Sequence, residues 1–371
     1  MSSQTKSNIL KQHQANSELN TSLLPQSMRN DFDLSADEII YPLNEQIIAG
    51  SSEAMESGQT HYVDVPGIGP LREALAEYLN SETDTQYQKE NILVTAGAQE
   101  ARFLTIQKIG ELFDSIAVPQ VVHPGVLKAL GVRPRNIVSI PVNVSQSALP
   151  SIDSISKAIE SGIRLLYLES PSRLTGEVYS SDDVDQIGDL ALKNDVAIIW
   201  DQGLASWVAG TTYSSIASKD TETKQIATIG EAWSGMGLAN WFIGYIAAPV
   251  KWIAPMQSQK QIMAICTSTA AQYAALEASK LFAEVRSQQL EQLKNQKDAL
   301  IKVANDAGLT VIDSETVNIL AIKLSTNDKV SSIKALKEAG FDVADGTDFG
   351  APNVIRLNVT SVTEQAIKKI N

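Results

Sequence analysis

Short apolar runs alternate with helical patterns through the middle of this 371-residue chain, and this alternation limits the possible folds more than any other feature. Each run has the length of a strand and is rich in Val, Ile or Leu, and several are separated by helical segments such as 100–113 and 181–194. Such alternation is typical of an α/β domain whose mostly parallel sheet is covered on both faces. Seven runs predict a seven-stranded sheet: 91–95, 115–122, 136–142, 164–169, 196–200, 225–229 and 241–247.

The rest of the chain predicts a smaller domain and a polar N-terminal arm. Residues 267–306 form one long helical pattern without Gly or Pro, and three short apolar runs with one helical segment among them follow it. We expect an arm at 1–29, a small α+β domain built from 30–50 and 279–371, and a large α/β domain at 51–278. The arm is rich in Ser, Gln and Asn. We expect it either to wrap a partner subunit or to be a frayed end without a role.

The composition argues against several classes of protein. Asp and Glu number 43 against 30 Lys and Arg, and this net charge of −13 disfavours nucleic acids and anionic membranes as partners. The single cysteine, Cys266, excludes an internal disulfide, and with three histidines it gives too few ligands for the usual zinc site, so no metal is expected. No stretch reaches the roughly 18 apolar residues that cross a bilayer. We therefore expect a cytoplasmic protein.

Three positions near the ends of predicted strands carry chemistry, because ligands of open α/β sheets bind beyond the carboxyl ends of the strands. Small residues at 96–98 begin a helix, where free N–H groups hold an anion, although a glycine there is also typical of an ordinary turn. Asp201 closes the fifth run and is either a ligand-binding carboxylate or a cap for nearby backbone. Arg356, in the last apolar run, suits bidentate carboxylate recognition or an inter-domain salt bridge.

Several motifs occur along the chain in an order that resembles the class I/II aminotransferases, the fold-type I enzymes that use pyridoxal 5′-phosphate (PLP). They are Pro-Gly-Ile-Gly-Pro-Leu-Arg-Glu-Ala at 66–74, Val-Thr-Ala-Gly-Ala-Gln at 94–99, Ser-Pro-Ser-Arg-Leu-Thr-Gly at 170–176, Asp201, Gly-Leu at 237–238 with Ile-Gly-Tyr at 243–245, and Ile-Arg-Leu at 355–357. The resemblance covers about 30–371. It implies the fold-type I architecture, with a large domain around a seven-stranded sheet and a smaller α+β domain.

The resemblance also implies roles for individual residues. In relatives, the tyrosine at the position of Tyr62 reaches the phosphate of the neighbouring subunit, which implies a homodimer. The start of the helix after the first strand implies cofactor contacts there. The implied cofactor-binding residues are Ala98, Gln99, Arg173, Asp201 and Tyr62, with Asp201 at the pyridine nitrogen, and Arg356 is implied to bind the substrate carboxylate.

Positions around the expected Schiff-base lysine depart from the family pattern. The Gly-Leu and Ile-Gly-Tyr motifs fix the register, which puts Ser234 at the lysine and Phe242 at the phosphate-binding arginine. A hydroxyl cannot form an imine and is a poor base unless another group activates it. Arg173 stands at the asparagine that bonds the ring hydroxyl. Four further positions also differ from the family pattern, and they hold Glu231, Trp233, Val126 and Leu204 in this chain.

From these departures we expect a divergent aminotransferase-like protein in which standard PLP–lysine transamination is lost or rerouted. It would bind a small amino-acid-like or carboxylate ligand in the old cleft, with PLP non-covalent or absent and Ser234 at the catalytic position. Two alternatives stay open. One is a biosynthetic enzyme of the aminotransferase, lyase or cyclase type that uses PLP or its amine form without a covalent lysine, with His123 or Tyr62 as base. The other is a non-catalytic subunit or an amino-acid-binding module.

Overall fold

The computed structural model describes residues 41, 43–83, 85–209, 213–220 and 224–370. The predicted arm at 1–29, and residues 30–40 of the predicted small domain, lie outside the described residues. The predicted domain boundaries stay predictions.

The predicted seven-stranded sheet is confirmed. Its spatial order is β1-β7-β6-β5-β4-β2-β3. The neighbouring strands β3, β2, β4, β5 and β6 run parallel to one another, whereas β7 runs antiparallel to both of its neighbours, β6 and β1. The strands are β1 Ile92–Ala96, β2 Ser115–Pro119, β3 Asn136–Ile140, β4 Leu165–Glu169, β5 Ala197–Asp201, β6 Ile226–Glu231 and β7 Ile243–Ala247.

The central strands are apolar throughout because both faces of this sheet are covered. Every residue of β4 and β5 is buried. On β4, Leu165 and Tyr167 pack in one apolar cluster, whereas Leu166 and Leu168 pack in another on the opposite face. Successive side chains of a strand point to opposite faces, so a strand buried on both sides has no polar alternate positions.

Helices cover the sheet and carry the chain to its next strand. Ser180 caps its helix in a reciprocal capping box with Asp183, which satisfies donors that the helix start leaves free. The helices are α1 Glu45–Glu56, α2 Gly69–Thr83, α3 Gly97–Gly110, α4 Pro124–Leu130, α5 Ile152–Glu160, α6 Ser181–Asn194, α7 Val250–Ala264, α8 Thr269–Asp306, α9 Thr326–Glu338, α10 Gly346–Phe349 and α11 Glu364–Ile367.

A second, antiparallel sheet with the order β10-β11-β9-β8 forms the C-terminal part. Its strands are β8 Thr310–Ile312, β9 Ile319–Lys323, β10 Val343–Asp345 and β11 Val354–Asn358. The sequence predicted three of them and missed β10, which has only three residues and therefore no readable alternation. Helix α8 joins the two regions: Ala274 packs in a cluster with β1 and β7, and Leu300 packs with the second sheet.

Candidate functional site

A cavity of about 450 Å³ lies beyond the carboxyl ends of the parallel strands. This is the edge where open α/β sheets bind ligands, because the loops that follow the strands meet there. Four segments build the wall: the start of α3, the loop after β2, the loop after β4, and the chain between β6 and β7. The lining residues are Ala96, Gly97, Ala98, Gln99, Arg102, His123, Arg173, Glu231, Ala232, Trp233, Ser234, Gly235, Leu238, Ala239, Asn240, Phe242 and Ile243.

Asp201 ends β5 beneath this cavity and is completely buried. Its Oδ2 accepts hydrogen bonds from Arg102 Nε and from the Tyr167 hydroxyl, each at 2.8 Å, and its Oδ1 accepts one from Gly203 N at 2.9 Å. Burial by itself would raise the pKa of Asp201, but the positive charges of Arg102 and Arg173 outweigh it and hold that pKa below its ordinary value. Asp201 is therefore an ionised carboxylate that is already paired within the chain.

Glu169 ends β4 and is the direct neighbour of Asp201 in the sheet register. It is buried; its Oε1 accepts from His123 N at 2.8 Å and its Oε2 accepts from Arg173 N at 3.4 Å. Burial, together with the negative charge of Asp201, raises the pKa of Glu169 to about 7. Two adjacent carboxyl groups thus have pKa values pushed in opposite directions, which is the pattern that separates acidic from basic roles in a site.

Two further arginines belong to this charged cluster. Arg173 lines the cavity, and its Nη1 lies 3.5 Å from Glu231 Oε1. Arg356 reaches across from β11, donates from Nη1 to the Arg173 carbonyl at 2.5 Å, and lies over the Phe349 ring with 5.4 Å to the centroid. Arg356 is buried and does not line the cavity formed by the described residues. Its role as a substrate-binding residue stays a prediction, since it contacts the lining residue Arg173 and does not line the cavity itself.

The start of α3 faces the cavity, with Gly97, Ala98 and Gln99 all in the lining. Gly97 has φ +71°, a conformation that glycine adopts without strain. One helix-start donor, Ala96 N, is already bonded to the Glu100 side chain, whose carboxylate is paired with buried Lys260 at 2.7 Å. This chain therefore supplies an anion of its own at the helix terminus, where the N–H groups favour negative charge.

Ser234 lines the cavity from the loop after β6. Its Oγ accepts a hydrogen bond at 3.0 Å from Nε1 of Trp207, and Trp207 is buried and stacked on Tyr41. The next residue is held from the long helix, because Gln289 Nε2 donates to the Gly235 carbonyl at 2.8 Å. These contacts fix the serine hydroxyl at the cavity wall.

The remaining predicted site residues divide into two groups. His123 lines the cavity, and its Nδ1 accepts from Gly125 N at 3.0 Å as the cap of α4. Tyr62, between α1 and α2, has 80 % of its surface exposed and does not line this cavity. Its predicted role toward a second subunit stays a prediction.

Sequence reasoning missed Arg102, Glu169 and Trp207. Glu169 had the same signal as Asp201, a lone carboxylate at the end of an apolar strand, and was detectable in that way. Arg102 was detectable only as a charged residue one turn into a helix whose other buried residues carry no charge. Trp207 gave no signal, because its partner Ser234 is 27 residues away along the chain.

The amines of the described residues lie elsewhere, and none of the residues lining the cavity is a lysine. Lys224 and Lys251 are exposed and border a separate groove of about 430 Å³. Lys260 and Lys297 are buried; Lys260 pairs with Glu100, and Lys297 donates to the carbonyls of Ser314 and Thr316. In the same part of the chain, no group of His, Cys, Asp and Glu has the arrangement of a metal site, and no helix is long and apolar enough to span a membrane.

The chain is similar to known proteins over nearly its whole length. A "probable aspartate/prephenate aminotransferase" of Aquifex aeolicus (strain VF5) is 28 % identical over 334 residues, covering 85 % of this chain and 83 % of that protein. The aspartate/prephenate aminotransferase of Thermus thermophilus is 26 % identical, covering 91 % and 88 %.

Solved structures share the fold. A tetra mutant of Thermus thermophilus aspartate aminotransferase superposes with a TM-score of 0.81 at 24 % identity, covering 95 % of this chain and 96 % of the other. The aromatic aminotransferase from Pyrococcus horikoshii OT3 gives a TM-score of 0.84 at 22 % identity, with the same two coverages. The family model "Aminotransferase class I and II" matches residues 29–370. The chain therefore belongs to the class I and II aminotransferase family.

Proposed function

We propose that this protein binds a small amino-acid-like or carboxylate ligand in the family's cleft and does not carry out transamination through a lysine imine. The observation that carries the proposal is Ser234: it lines the cavity at the position where the family pattern has lysine, and its hydroxyl is held by Trp207. A serine hydroxyl cannot form an imine with an aldehyde, and no described cavity residue offers an amine instead.

The lining residues do not fit PLP held in the family's manner. Phe242, with 59 % of its surface exposed, stands where a phosphate-binding arginine is expected, and its side chain lies against Gly97 at the start of α3. Glu231 adds a negative charge to the same cavity, and this charge repels a phosphate dianion more strongly than a singly charged carboxylate. No step of the proposed function is therefore assigned to the cofactor.

The charges and donors of the cavity support a carboxylate ligand. Arg173 lines the wall, with Arg102 beside it. Asn240 and Ser234 add polar groups without charge.

The test has two arms. Purified protein is incubated with PLP, reduced with borohydride and digested, and mass spectrometry locates any pyridoxyl-lysine. We expect no site-specific adduct in wild type. Parallel incubations of Ser234→Lys and of Ser234→Lys with Phe242→Arg show whether an amine at 234 is trapped once the phosphate site is restored. A stoichiometric adduct on one lysine of wild type, with turnover of an amino donor, overturns the proposal.

The second arm measures ligand binding by calorimetry with L-aspartate, L-phenylalanine and 2-oxoglutarate. We expect at least one to bind wild type and Arg173→Gln to weaken that binding about tenfold or more, because a charge-assisted hydrogen bond contributes about 1.5–3 kcal/mol. The exposed Arg133→Gln is the matched control and should bind as wild type does. No binding of any of the three, or equal binding by both variants, contradicts the carboxylate part of the proposal.

The relatives support a second candidate, a PLP-dependent aminotransferase, because the similar proteins of Aquifex aeolicus and Thermus thermophilus are named aspartate/prephenate aminotransferases. It requires another amine in the cleft. Lys260 is a buried amine that contacts α3 through its pair with Glu100. Borohydride trapping that locates the pyridoxyl group on Lys260 would favour this candidate over the first.

A further inference from the structure

Arg102 separates Asp201 from the cavity. Asp201 is completely buried and does not line the cavity, whereas Arg102, from α3, does line it. The two are joined by Nε and Oδ2 at 2.8 Å, across 99 residues of sequence. The carboxylate that the family resemblance assigns to the pyridine nitrogen is therefore already bonded to Arg102 and does not itself line the cavity.

The position of Arg102 is fixed on several sides. Its Nη1 lies 3.4 Å from Gln99 Oε1, and Gln99 Nε2 in turn donates to the Gly125 carbonyl at 3.0 Å. Asp201 and Arg102 have side-chain exposures of 0 % and 3 %, so little water screens their attraction. Oδ2 of Asp201 also accepts from Tyr167, which leaves that oxygen without room for another donor.

We infer that Arg102 is a specificity-determining residue that excludes pyridinium cofactors from this cleft by taking their place on Asp201. A protonated ring nitrogen needs an ionised, accessible carboxylate, and here the carboxylate is ionised but covered. The inference rests on the proposed function, since it concerns the same cleft without an imine. It goes further by naming a cause that is independent of Ser234: restoring a lysine at 234 would not by itself make the ring bind.

The test uses pyridoxamine 5′-phosphate, which carries the ring and the phosphate but has no aldehyde and so cannot form imines with surface lysines. Equilibrium dialysis against full-length wild type, Arg102→Leu and Arg102→Gln gives the dissociation constants. Arg102→Leu removes the charge and uncovers Asp201. Arg102→Gln is also neutral but keeps a hydrogen-bond donor for Asp201, which makes it the milder change should Arg102→Leu fail to fold by circular dichroism.

The matched control is the double variant Arg102→Leu with Asp201→Asn. The double variant has the same neutral side chain and the same opened space at position 102, but the amide at position 201 gives a protonated ring no ionic partner. We expect at least tenfold tighter binding by Arg102→Leu than by wild type, a smaller gain for Arg102→Gln, and no gain for the double variant. We expect Ser234→Lys alone to bind the probe as weakly as wild type.

Three results would overturn the inference: folded Arg102 variants that bind no more tightly than wild type, a double variant that gains as much as Arg102→Leu, or a micromolar dissociation constant for wild type itself. The last of these needs no variant. These outcomes are distinguishable from failure of the proposed function, which is a borohydride-trapped lysine in wild type. If wild type forms no adduct and the Arg102 variants bind the probe no more tightly than wild type, only the inference about Arg102 is contradicted, and the proposed function stands.

Discussion

Glu169→Gln should change how the stability of this protein depends on pH. Burial and the charge of Asp201 raise the pKa of Glu169 from 4.5 to about 7, and each unit of such a shift is worth about 1.4 kcal/mol. Below pH 4.5 the group is protonated in both the folded and the unfolded chain and costs nothing. Between pH 4.5 and 7 the unfolded chain loses this proton while the folded chain keeps it, so the free energy of unfolding falls as pH rises. The loss totals about 3 kcal/mol and is complete above pH 7.

Glutamine is neutral at every pH and removes this loss. Its Oε1 still accepts from His123 N, while the 3.4 Å contact with Arg173 N is lost, at a constant cost of about 1 kcal/mol. Urea denaturation followed by circular dichroism from pH 4.5 to 8 measures the free energy of unfolding of both proteins. We expect the variant to gain about 3 kcal/mol relative to wild type across this range. The exposed Glu77→Gln on α2 is the control and should leave the shape of the curve unchanged. Parallel curves for wild type and Glu169→Gln would refute the assigned pKa and its cause.

Three further predictions concern the elements that position the site. Lys260→Met should destabilise the protein by about 3–5 kcal/mol in urea, because it leaves the Glu100 carboxylate, whose side chain is 8 % exposed, without its cation. Lys260→Met with Glu100→Gln should cost much less, and equal costs would contradict an unpaired charge as the cause. Gly244→Ala should destabilise strongly by thermal denaturation, because its Cβ would lie 2.5 Å from the backbone carbon of Gly97, whereas Gly69→Ala, with open space around it, should not; a mild Gly244→Ala would mean that β7 and α3 separate easily. Light scattering should give about twice the chain mass of 40.1 kDa, and Tyr62→Ala should lower this mass, because the exposed Tyr62 is predicted to contact the second copy. A mass of one chain for wild type at micromolar concentration would refute the dimer.

The sequence by itself determined the strands of the large sheet and the fold class. The seven apolar runs fall on β1 to β7 within a few residues, because a strand buried on both faces must be continuously apolar, and that signal is local. The predicted helix at 181–194 matches α6, which has a capping box to mark its start. Helix α7 gave no comparable signal, since Pro255 interrupts it, and the three-residue β10 was too short to read.

Only the tertiary structure decided which charges meet. The sequence could mark Asp201 as a carboxylate in need of a partner, but that partner, Arg102, lies 99 residues away on another element. Arg356 likewise reaches the carbonyl of Arg173 across 183 residues, from the second sheet to the loop after β4. Such pairings depend on how α3 and β11 pack against the ends of the strands and on side-chain rotamers, neither of which a periodic pattern records. Whether Asp201 is open to a ligand or covered by an arginine is therefore a property of the packed chain and not of any one segment.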